Sequence, residues 1–497
     1  MLQRAAFSPN IKDRLDFSCA VFGPTGELVA QAAHIPVHLG SMAFAMRSIV
    51  DAVVWGAGDM VVVNDPYKGG THLPDVTVIA PVFVGGECIG YVANRAHHAN
   101  IGASSPGSMP ISTSLEDEGI IIPPTHIMRN FKLQAPVFGC LLGLDIQYEK
   151  DLPSTQASGD FAAQMSANRA GVIRLIALAE HYGVAAFSHW LGALNDYGER
   201  LAEATLSQIP EGDYAFEDFL DDDGLGNKKI RINAKVSVRS GKVAVDFAGT
   251  SLQVSGNVNC PLSVAAAAVF YVFRCLMPPQ TPACAGTFRP IQLHAQPGCL
   301  VNANYPAAVA AGNVETSTRI VDVLLGALAQ AIPERIPAAS HGSMNNLAMG
   351  REDKRTGKRW DYYETIGGGM GASAHSDGMS AVQTHMTNTL NTPIESLEAH
   401  YPLRVNQYSI RRNSGGGGDH VGGDGIVREL QFLEPAEVTL LTERRVFPPW
   451  HLGTTSLPGQ VGENCLNGEK LPSKVAFHTK EGDVLRIETP GGGGWSN

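Results

Sequence analysis

Two largely apolar runs separated by a pair of glycines predict a β-hairpin between residues 76 and 96. The two candidate strands are VTVIAPVFV and CIGYVANRA, and the pair Gly85-Gly86 lies at the bend between them. A hairpin brings together its two ends opposite the turn, so the loops that flank it are expected to lie close in space. Upstream, DFSCAVF and ELVAQ favour two strands joined by a turn at 23–26, and MVVVNDPY favours a short buried strand.

Helical spacing of apolar residues predicts helices along the chain. A helix with Ser41 as its N-cap accounts for the spacing of Ala43, Met46, Ile49, Val50 and Val53. Residues 160–206 predict two helices broken at Gly183. Two more helices are predicted by CPLSVAAAAVFYVFRCLM, which is apolar enough to be fully buried, and by AGNVETSTRIVDVLLGALAQAIP, which ends at Pro333.

These elements define the fold class. Antiparallel strands are expected between residues 214 and 256, and further strands at EVTLLTERR and DVLRIET. The chain is therefore predicted to be a mixed α/β (α+β) protein with several mixed or antiparallel sheets, buried helices and more than one domain. The predicted division is a metal-site domain with the hairpin at 1–150, a helical segment at 151–210, a β-rich segment with buried helices at 211–340 and a glycine-rich β domain at 341–497.

Composition narrows the functional class. The chain has 497 residues, of which 44% are hydrophobic and 17% charged, as expected for a globular protein. Its net charge of -11 argues against a nucleic-acid partner, because phosphate binding needs basic patches. No run of 18 apolar residues and no signal-peptide core occurs, which argues against a membrane partner. Eight scattered cysteines without a CxxC pair favour reduced thiols, so the protein is predicted to be cytoplasmic.

The candidate site residues lie in the two loops that flank the hairpin, one before its first strand and one after its second strand. Residues 64–110 place six polar side chains there, namely Asp65, His72, Asp75, His97, His98 and Asn100. Imidazoles with nearby carboxylates suit a divalent metal such as Zn, Mn or Fe. Asp75 could equally orient His72, and His98 is expected to support the site or pack in the core, since adjacent residues of a strand point to opposite faces.

Residues outside this stretch add further candidates. Asp16 directly precedes the first strand, from where a carboxylate can reach a neighbouring loop. His34 and His38 precede the helix predicted at Ser41. A structural role, as loop histidines hydrogen-bonded to the backbone, is at least as well supported for both as a catalytic role.

Other catalytic motifs are missing or incomplete. The chain contains neither the GxxxxGK[ST] motif of ATP-binding loops nor the GxSxG motif of serine hydrolases. GGGMGA at 367–372 matches a dinucleotide motif formally, but no suitable helix follows it. The simpler interpretation is that the glycine runs permit close backbone packing or positive φ. The cysteines lack an obvious base that would make them nucleophiles.

Long motifs in one order give the chain a strong resemblance to the hydantoinase B/oxoprolinase family. The motifs are SPNIKDRLDFSCAVF, HIPVHLGSM, NDPYKGGTHLPDV, RAHHANIG with SPGSMP, GNVETSTRIVDVLLGALA, ASHGSMNN, NTPIESLEAHYPLRVNQYSIRRNSGGGGDHVGGDGIVREL and TPGGGGW. They run nearly from one end of the chain to the other. The chain begins close to the SPNI motif, so the resemblance implies that an opening helix of the family is missing.

The resemblance implies the B-type subunit of a two-component, ATP-dependent enzyme. An A-type partner would bind ATP and phosphorylate the substrate, and the B-type subunit would complete the reaction at a metal centre in a hetero-oligomer. The leading expectation is a hydrolase that opens a cyclic amide such as a hydantoin, a lactam or 5-oxoproline. The alternatives are a subunit of an acetone or acetophenone carboxylase and a non-catalytic scaffold subunit.

The resemblance also implies roles for individual residues. The metal ligands fall on Asp16, His72 and His97, and Asp75 joins or supports them. His98 or an acidic neighbour such as Asp75 is expected to move the proton. The family usually has HHAD where this chain has HHAN, so Asn100 replaces a carboxylate and would change the metal affinity or the choice of metal if this position is a ligand. Ala283 and Ala285 replace both residues of a usual Asn-x-Gly turn.

Overall fold

The hairpin predicted from the sequence is present at the centre of a sheet that bears the candidate site. A computed structural model describes residues 1–32, 35–353 and 358–497, so His34 lies outside the described residues. The strands of this first sheet are β1 (Phe17–Phe22), β2 (Leu28–Ala32), β3 (Met60–Val63), β4 (Asp75–Val84), β5 (Glu87–His97), β6 (Thr125–Arg129) and β7 (Lys132–Leu133). They are ordered β2-β1-β5-β4-β3-β6-β7 and every neighbouring pair is antiparallel.

Helices cover this sheet. They are α1 (Leu2–Ala5), α2 (Pro9–Lys12), α3 (Pro36–Ala52), α4 (Ala135–Leu141), α5 (Gln156–Tyr182) and α6 (Val184–Leu206). The break predicted at Gly183 is confirmed, and this glycine has a φ of 85°. The N-cap predicted at Ser41 is wrong. The helix begins at Pro36, because a proline fits the first turn, and the Ser41 hydroxyl donates inside the helix to the carbonyl of Val37 at 2.6 Å.

A second sheet and two buried helices follow. The strands are β8 (Gly212–Asp222), β9 (Lys228–Arg239), β10 (Lys242–Asp246) and β11 (Ile291–His294), with β10 and β11 parallel and the other pairs antiparallel. Helix α7 is Leu262–Leu276, and a π-helical turn at Gly312–Thr316 leads into α8 at Ser317–Ala329. Every residue of α8 is buried, and both helices contribute to the largest hydrophobic core. The full burial predicted for α7 is wrong at its C-terminal end, where Cys275 is exposed.

Two more sheets form the C-terminal part. One is ordered β13-β12-β16-β19, and the other β14-β15-β20-β17-β18. Their bounds are β12 Asn346–Asp353, β13 Lys358–Glu364, β14 Leu403–Arg411, β15 Gly425–Phe432, β16 Glu437–Leu441, β17 Glu463–Leu466, β18 Glu469–Leu471, β19 Lys474–His478 and β20 Val484–Glu488, and helix α9 is Ile394–His400. The mixed α/β, multi-domain class is confirmed, and the four-segment division stays a prediction.

The glycine runs pack by direct backbone contact, as the simpler interpretation predicted. The N–H of Gly423 donates to the carbonyl of Met370 at 2.8 Å, and the N–H of Gly492 donates to the carbonyl of Gly423 at 2.9 Å. A Cβ on Gly492 would lie 2.1 Å from the Met370 carbonyl oxygen, which no side chain tolerates.

No single helix among the described residues is long and apolar enough to cross a membrane. Helices α5 and α6 reach the length and apolar composition of a membrane span only when they are taken together, and the chain bends by 107° at their junction.

Candidate metal centre

The carboxylate of Asp75 lies at the centre of a cluster of buried histidines. Asp75 begins β4, and the hairpin pairs it with His97 at the end of β5. Asp75 Oδ1 lies 3.2 Å from Nε2 of His72 and 3.2 Å from Nδ1 of His97. Asp75 Oδ2 lies 3.2 Å from Nε2 of His38 and accepts a hydrogen bond from the Thr71 hydroxyl at 2.8 Å. The hairpin therefore brings three of the candidate residues, His72, Asp75 and His97, into one group.

His72 and His97 each hold one ring nitrogen in a hydrogen bond and leave the other open. Nδ1 of His72 donates to the carbonyl of Ala310 at 3.2 Å, and Nδ1 of His97 donates to Oδ1 of Asp75 at 3.2 Å. Both acceptors lack a proton, so the two Nδ1 atoms carry it. Both Nε2 atoms are buried without a hydrogen-bond partner, although Nε2 of His72 lies close to Asp75. This arrangement is typical of metal-binding histidines.

Burial and charge set the protonation of the cluster. Burial favours a higher pKa for Asp75, but His72 and His38 outweigh it and hold the pKa of this carboxyl well below its usual range. Burial lowers the pKa of His97. For His72, burial also favours a lower pKa, but the charge and contact of Asp75 outweigh it and the net pKa is raised. At neutral pH the group therefore combines an ionised Asp75 with a neutral His97, whose lone pair is available.

Asp16 lines the same small cavity as the histidines. It directly precedes β1, and its Oδ1 lies 3.9 Å from Nε2 of His38. Its backbone carbonyl accepts the N–H of His97 at 3.1 Å, which ties the start of β1 to the end of β5. The cavity offers about 20 Å³ to the centre of a water-sized sphere, enough for one water molecule or one ion.

The donor set fits a divalent transition metal. One ligand atom from each of His72, Asp75 and His97 can be chosen so that all three lie within 4.8 Å of one another. Two ligands of a tetrahedral ion with bonds of about 2.0 Å are about 3.3 Å apart. The 3.2 Å between His72 Nε2 and Asp75 Oδ1 is close to that separation. An ion would also satisfy the open Nε2 atoms, which are otherwise unexplained in a buried site.

Residues remote in sequence complete the cavity, and sequence reasoning missed them. The side-chain amide of Asn313 donates to Asp75 Oδ2 at 3.2 Å, and its own carbonyl oxygen is buried without a partner. The ring of Tyr363 stacks on His97 with a centroid distance of 4.5 Å and an interplanar angle of 12°. A signal for Asn313 was available, because GNVET puts polar residues into a fully buried helix. The structure also corrects the position of His38, which lies in the first turn of α3 rather than before the helix.

Three other candidate residues point away from the cavity. Nε2 of His98 lies 2.8 Å from the side-chain oxygen of Gln164, and its ring stacks on Phe161 at 4.1 Å. Asn100 donates to Asp361 at 3.3 Å and accepts the N–H of Gly102 at 2.6 Å. Asp65 caps a short turn by accepting the N–H of Tyr67 at 2.9 Å. The catalytic role expected of His98 stays a prediction, and the cavity lining does not include this residue.

Comparison with known proteins identifies the family. The model of the hydantoinase B/oxoprolinase family matches residues 1–497. Over 532 residues the chain is 38% identical to 5-oxoprolinase 1 of Arabidopsis thaliana, covering 100% of this chain and 40% of that protein. It is 30% identical to a protein of a Pseudomonas strain that is named as the B-type subunit of a D-/L-hydantoinase, covering 100% of this chain and 86% of that protein. The chain thus spans about two fifths of the length of the 5-oxoprolinase.

Two solved structures share the fold. The ATP-dependent caprolactamase of Pseudomonas jessenii superposes with a TM-score of 0.87 at 26% identity, covering 97% of this chain and 85% of that chain. A nucleotide-free acetone carboxylase superposes with a TM-score of 0.86 at 16% identity, covering 100% of this chain and 73% of that chain. The chain belongs to the hydantoinase B/oxoprolinase family, as its motifs predicted.

Proposed function

We propose that this member of the hydantoinase B/oxoprolinase family is the B-type subunit of an ATP-dependent enzyme that hydrolyses a cyclic amide at a metal centre. The observation that carries the proposal is the buried group of His72, Asp75 and His97, with two open imidazole nitrogens beside an ionised carboxylate. The substrate class is supported by relatives whose names include 5-oxoprolinase, hydantoinase and caprolactamase.

In this proposal His72 and His97 hold a divalent metal (Zn, Mn or Fe) together with Asp16. Asp75 joins them or supports them, since it touches both histidines. A metal of this kind activates water and stabilises negative charge that develops on the substrate oxygen. The open Nε2 atoms and the cavity of about 20 Å³ support this assignment.

The protein's own groups orient the reactants and move the proton. Of the two residues expected from the sequence to move the proton, Asp75 is the better placed, because it borders the cavity whereas His98 is bonded to Gln164. Asn313 fixes Asp75 through its side-chain N–H, and its unpartnered carbonyl oxygen remains available to a donor. Tyr363 and Met344 line the cavity with apolar surface that limits water.

The activation step is assigned to another chain. No GxxxxGK[ST] motif occurs in this sequence, and the 5-oxoprolinase of Arabidopsis thaliana is more than twice as long as the matched part. We therefore propose that an A-type partner binds ATP, activates the substrate and associates with this chain in a cytoplasmic hetero-oligomer. The name of the Pseudomonas relative, which marks it as one component of a hydantoinase, supports this division.

The test is hydrolysis by the chain co-expressed with an A-type, ATP-binding subunit. Hydantoin, 2-pyrrolidone, caprolactam and 5-oxoproline are incubated with and without ATP, and ring-opened product is measured by mass spectrometry. We expect product only with ATP, and none with the His97→Ala variant. Equal hydrolysis without ATP would refute the mechanism.

The same assay separates the two alternatives. Acetone carboxylase has this fold, so acetone and acetophenone are included with bicarbonate. ATP consumption that depends on bicarbonate would identify a ketone carboxylase instead. Activity that persists unchanged in His97→Ala and His72→Ala would identify a scaffold subunit whose partner performs the chemistry.

A further inference from the structure

Glu118 is a fully buried carboxylate that lies outside the cavity lining. It ends a short 3-10 turn at Leu115–Glu118 and has 0% of its surface exposed. Its Oε1 accepts three hydrogen bonds, from the Ser112 hydroxyl at 2.7 Å and from the backbone N–H groups of Val309 and Ala310, each at 2.9 Å. Its Oε2 is buried without a partner.

The segment Val309-Ala310, whose N–H groups are bonded to Glu118, also accepts the hydrogen bond from His72. The N–H of Ala310 is bonded to Glu118, and the carbonyl of the same residue accepts the hydrogen bond from Nδ1 of His72 at 3.2 Å. A continuous path of two hydrogen bonds therefore joins Glu118 to the histidine ring, with one residue between them. This path decides which nitrogen of His72 carries the proton.

Residues 307–311 lie in irregular backbone between β11 and the π-helical turn. Val309 and Ala310 are completely buried, so their N–H groups need acceptors within the protein. Glu118 satisfies both with a single oxygen. Burial of this carboxylate carries a cost, because it raises the pKa of Glu118 to about 7.

We propose that Glu118 is a positioning residue of the metal centre, which holds Ala310 so that its carbonyl keeps Nδ1 of His72 protonated and Nε2 open. The inference rests on the proposed function in one respect, that His72 is a metal ligand. It adds a residue 46 positions away in the sequence that touches neither metal nor substrate.

Two substitutions distinguish the effect of where the accepting oxygen of Glu118 lies from the effect of its negative charge. Glu118→Gln keeps an accepting oxygen where Oε1 lies and removes the charge, while its new N–H₂ group takes the place of the unpartnered Oε2. Glu118→Asp keeps the charge but withdraws the carboxylate by about 1.5 Å, out of reach of the two N–H groups. Asp223→Glu is the matched control, since Asp223 is a buried carboxylate that accepts the N–H groups of Leu225 at 2.9 Å and Gly256 at 3.1 Å, outside the cavity lining.

The first readout is the dissociation constant for Zn²⁺ and Mn²⁺, measured on the full chain by competition with a chromogenic chelator. We expect Glu118→Asp to bind about 10–100-fold more weakly than the wild type, and Glu118→Gln and Asp223→Glu to stay within about threefold. Weak binding by Glu118→Gln with wild-type binding by Glu118→Asp would overturn the proposal in favour of a charge effect. Wild-type affinity in both variants would overturn it outright.

The second readout needs no metal. Crystal structures of the variants, grown with chelator, give the distance from Nδ1 of His72 to the Ala310 carbonyl. We expect this hydrogen bond to break in Glu118→Asp and to remain in Glu118→Gln, and an unchanged His72 in Glu118→Asp overturns the inference. A wild-type chain that binds neither ion would refute the proposed metal centre, whereas the crystallographic comparison would still decide whether Glu118 positions His72.

Discussion

Nδ1 of His97 donates to Oδ1 of Asp75 at 3.2 Å, and the two residues face each other at the open end of the hairpin. The bond joins the last residue of one strand to the first residue of the other, so the fold of the hairpin itself fixes the imidazole. It leaves Nε2 of His97 buried and open. The same carboxylate touches His38 and His72, so one side chain organises three rings.

The first prediction concerns metal binding by this group. His97→Ala is expected to abolish stoichiometric binding, because it removes an open nitrogen. Asp75→Asn should weaken binding about 10–100-fold, because a neutral amide replaces the carboxylate that accepts the Nδ1–H of His97. Metal content is measured by plasma mass spectrometry after dialysis against Zn²⁺ or Mn²⁺. His98→Ala is the matched control, since this neighbouring histidine faces Phe161 and Gln164. Full metal content in His97→Ala would contradict the ligand assignment.

The second prediction concerns Asn100, where the resemblance to the family implied a carboxylate. Its side chain is bonded to Asp361 and Gly102 rather than to the cavity lining. We therefore expect Asn100→Asp to leave the metal dissociation constant within about threefold. The free energy of unfolding should fall by about 1 kcal/mol, because a donor to Asp361 becomes a second carboxylate. Chelator competition and urea denaturation measure the two effects, and Asn100→Ser is the uncharged control. Tighter metal binding by Asn100→Asp would show that this position reaches the ion.

Local patterns were enough to predict the hairpin and the half of the site that it carries. Asp75 and His97 are register partners, so two apolar runs and one glycine turn determine their approach. The other half could not be predicted in this way. Asn313 meets Asp75 across 238 positions, and Ala310 meets His72 across the same separation. Such contacts depend on how the π-helical turn and the residues before it pack against the first sheet, which no local periodicity encodes. Ser41 failed as an N-cap because Pro36 already starts the helix.

The third prediction concerns acid stability and His341. This histidine is buried, and both of its ring nitrogens lack hydrogen-bond partners. Burial lowers the pKa of His341 from an ordinary 6.5 to about 3. Between these values the unfolded chain binds a proton that the folded chain does not, so stability falls as the pH falls through this window. Above about pH 6.5 the contribution of His341 to the free energy of unfolding no longer changes with pH.

The measurement is the free energy of unfolding in urea between pH 4 and pH 6. The wild type should lose about 1.4 kcal/mol per pH unit more than His341→Leu. His189→Leu is the control, since His189 is exposed on α6, and it should keep the wild-type slope. Equal slopes for the wild type and His341→Leu would show that His341 takes up its proton in the folded state as well.

The fourth prediction tests the packing of the glycine runs with two adjacent positions. A Cβ on Gly416 would lie 2.1 Å from the carbonyl oxygen of Leu457, whereas the nearest atom to a Cβ on Gly417 is a side-chain carbon of Leu457 at 3.7 Å. Gly416→Ala must therefore push backbone segments apart, and we expect a loss of at least about 3 kcal/mol in the free energy of unfolding. Gly417→Ala should cost less than about 1 kcal/mol, because its methyl group enters ordinary van der Waals contact. Urea denaturation and the yield of folded protein measure the difference. Equal stability of the two variants would mean that these runs tolerate side chains, and that their glycines serve turns rather than close backbone contact.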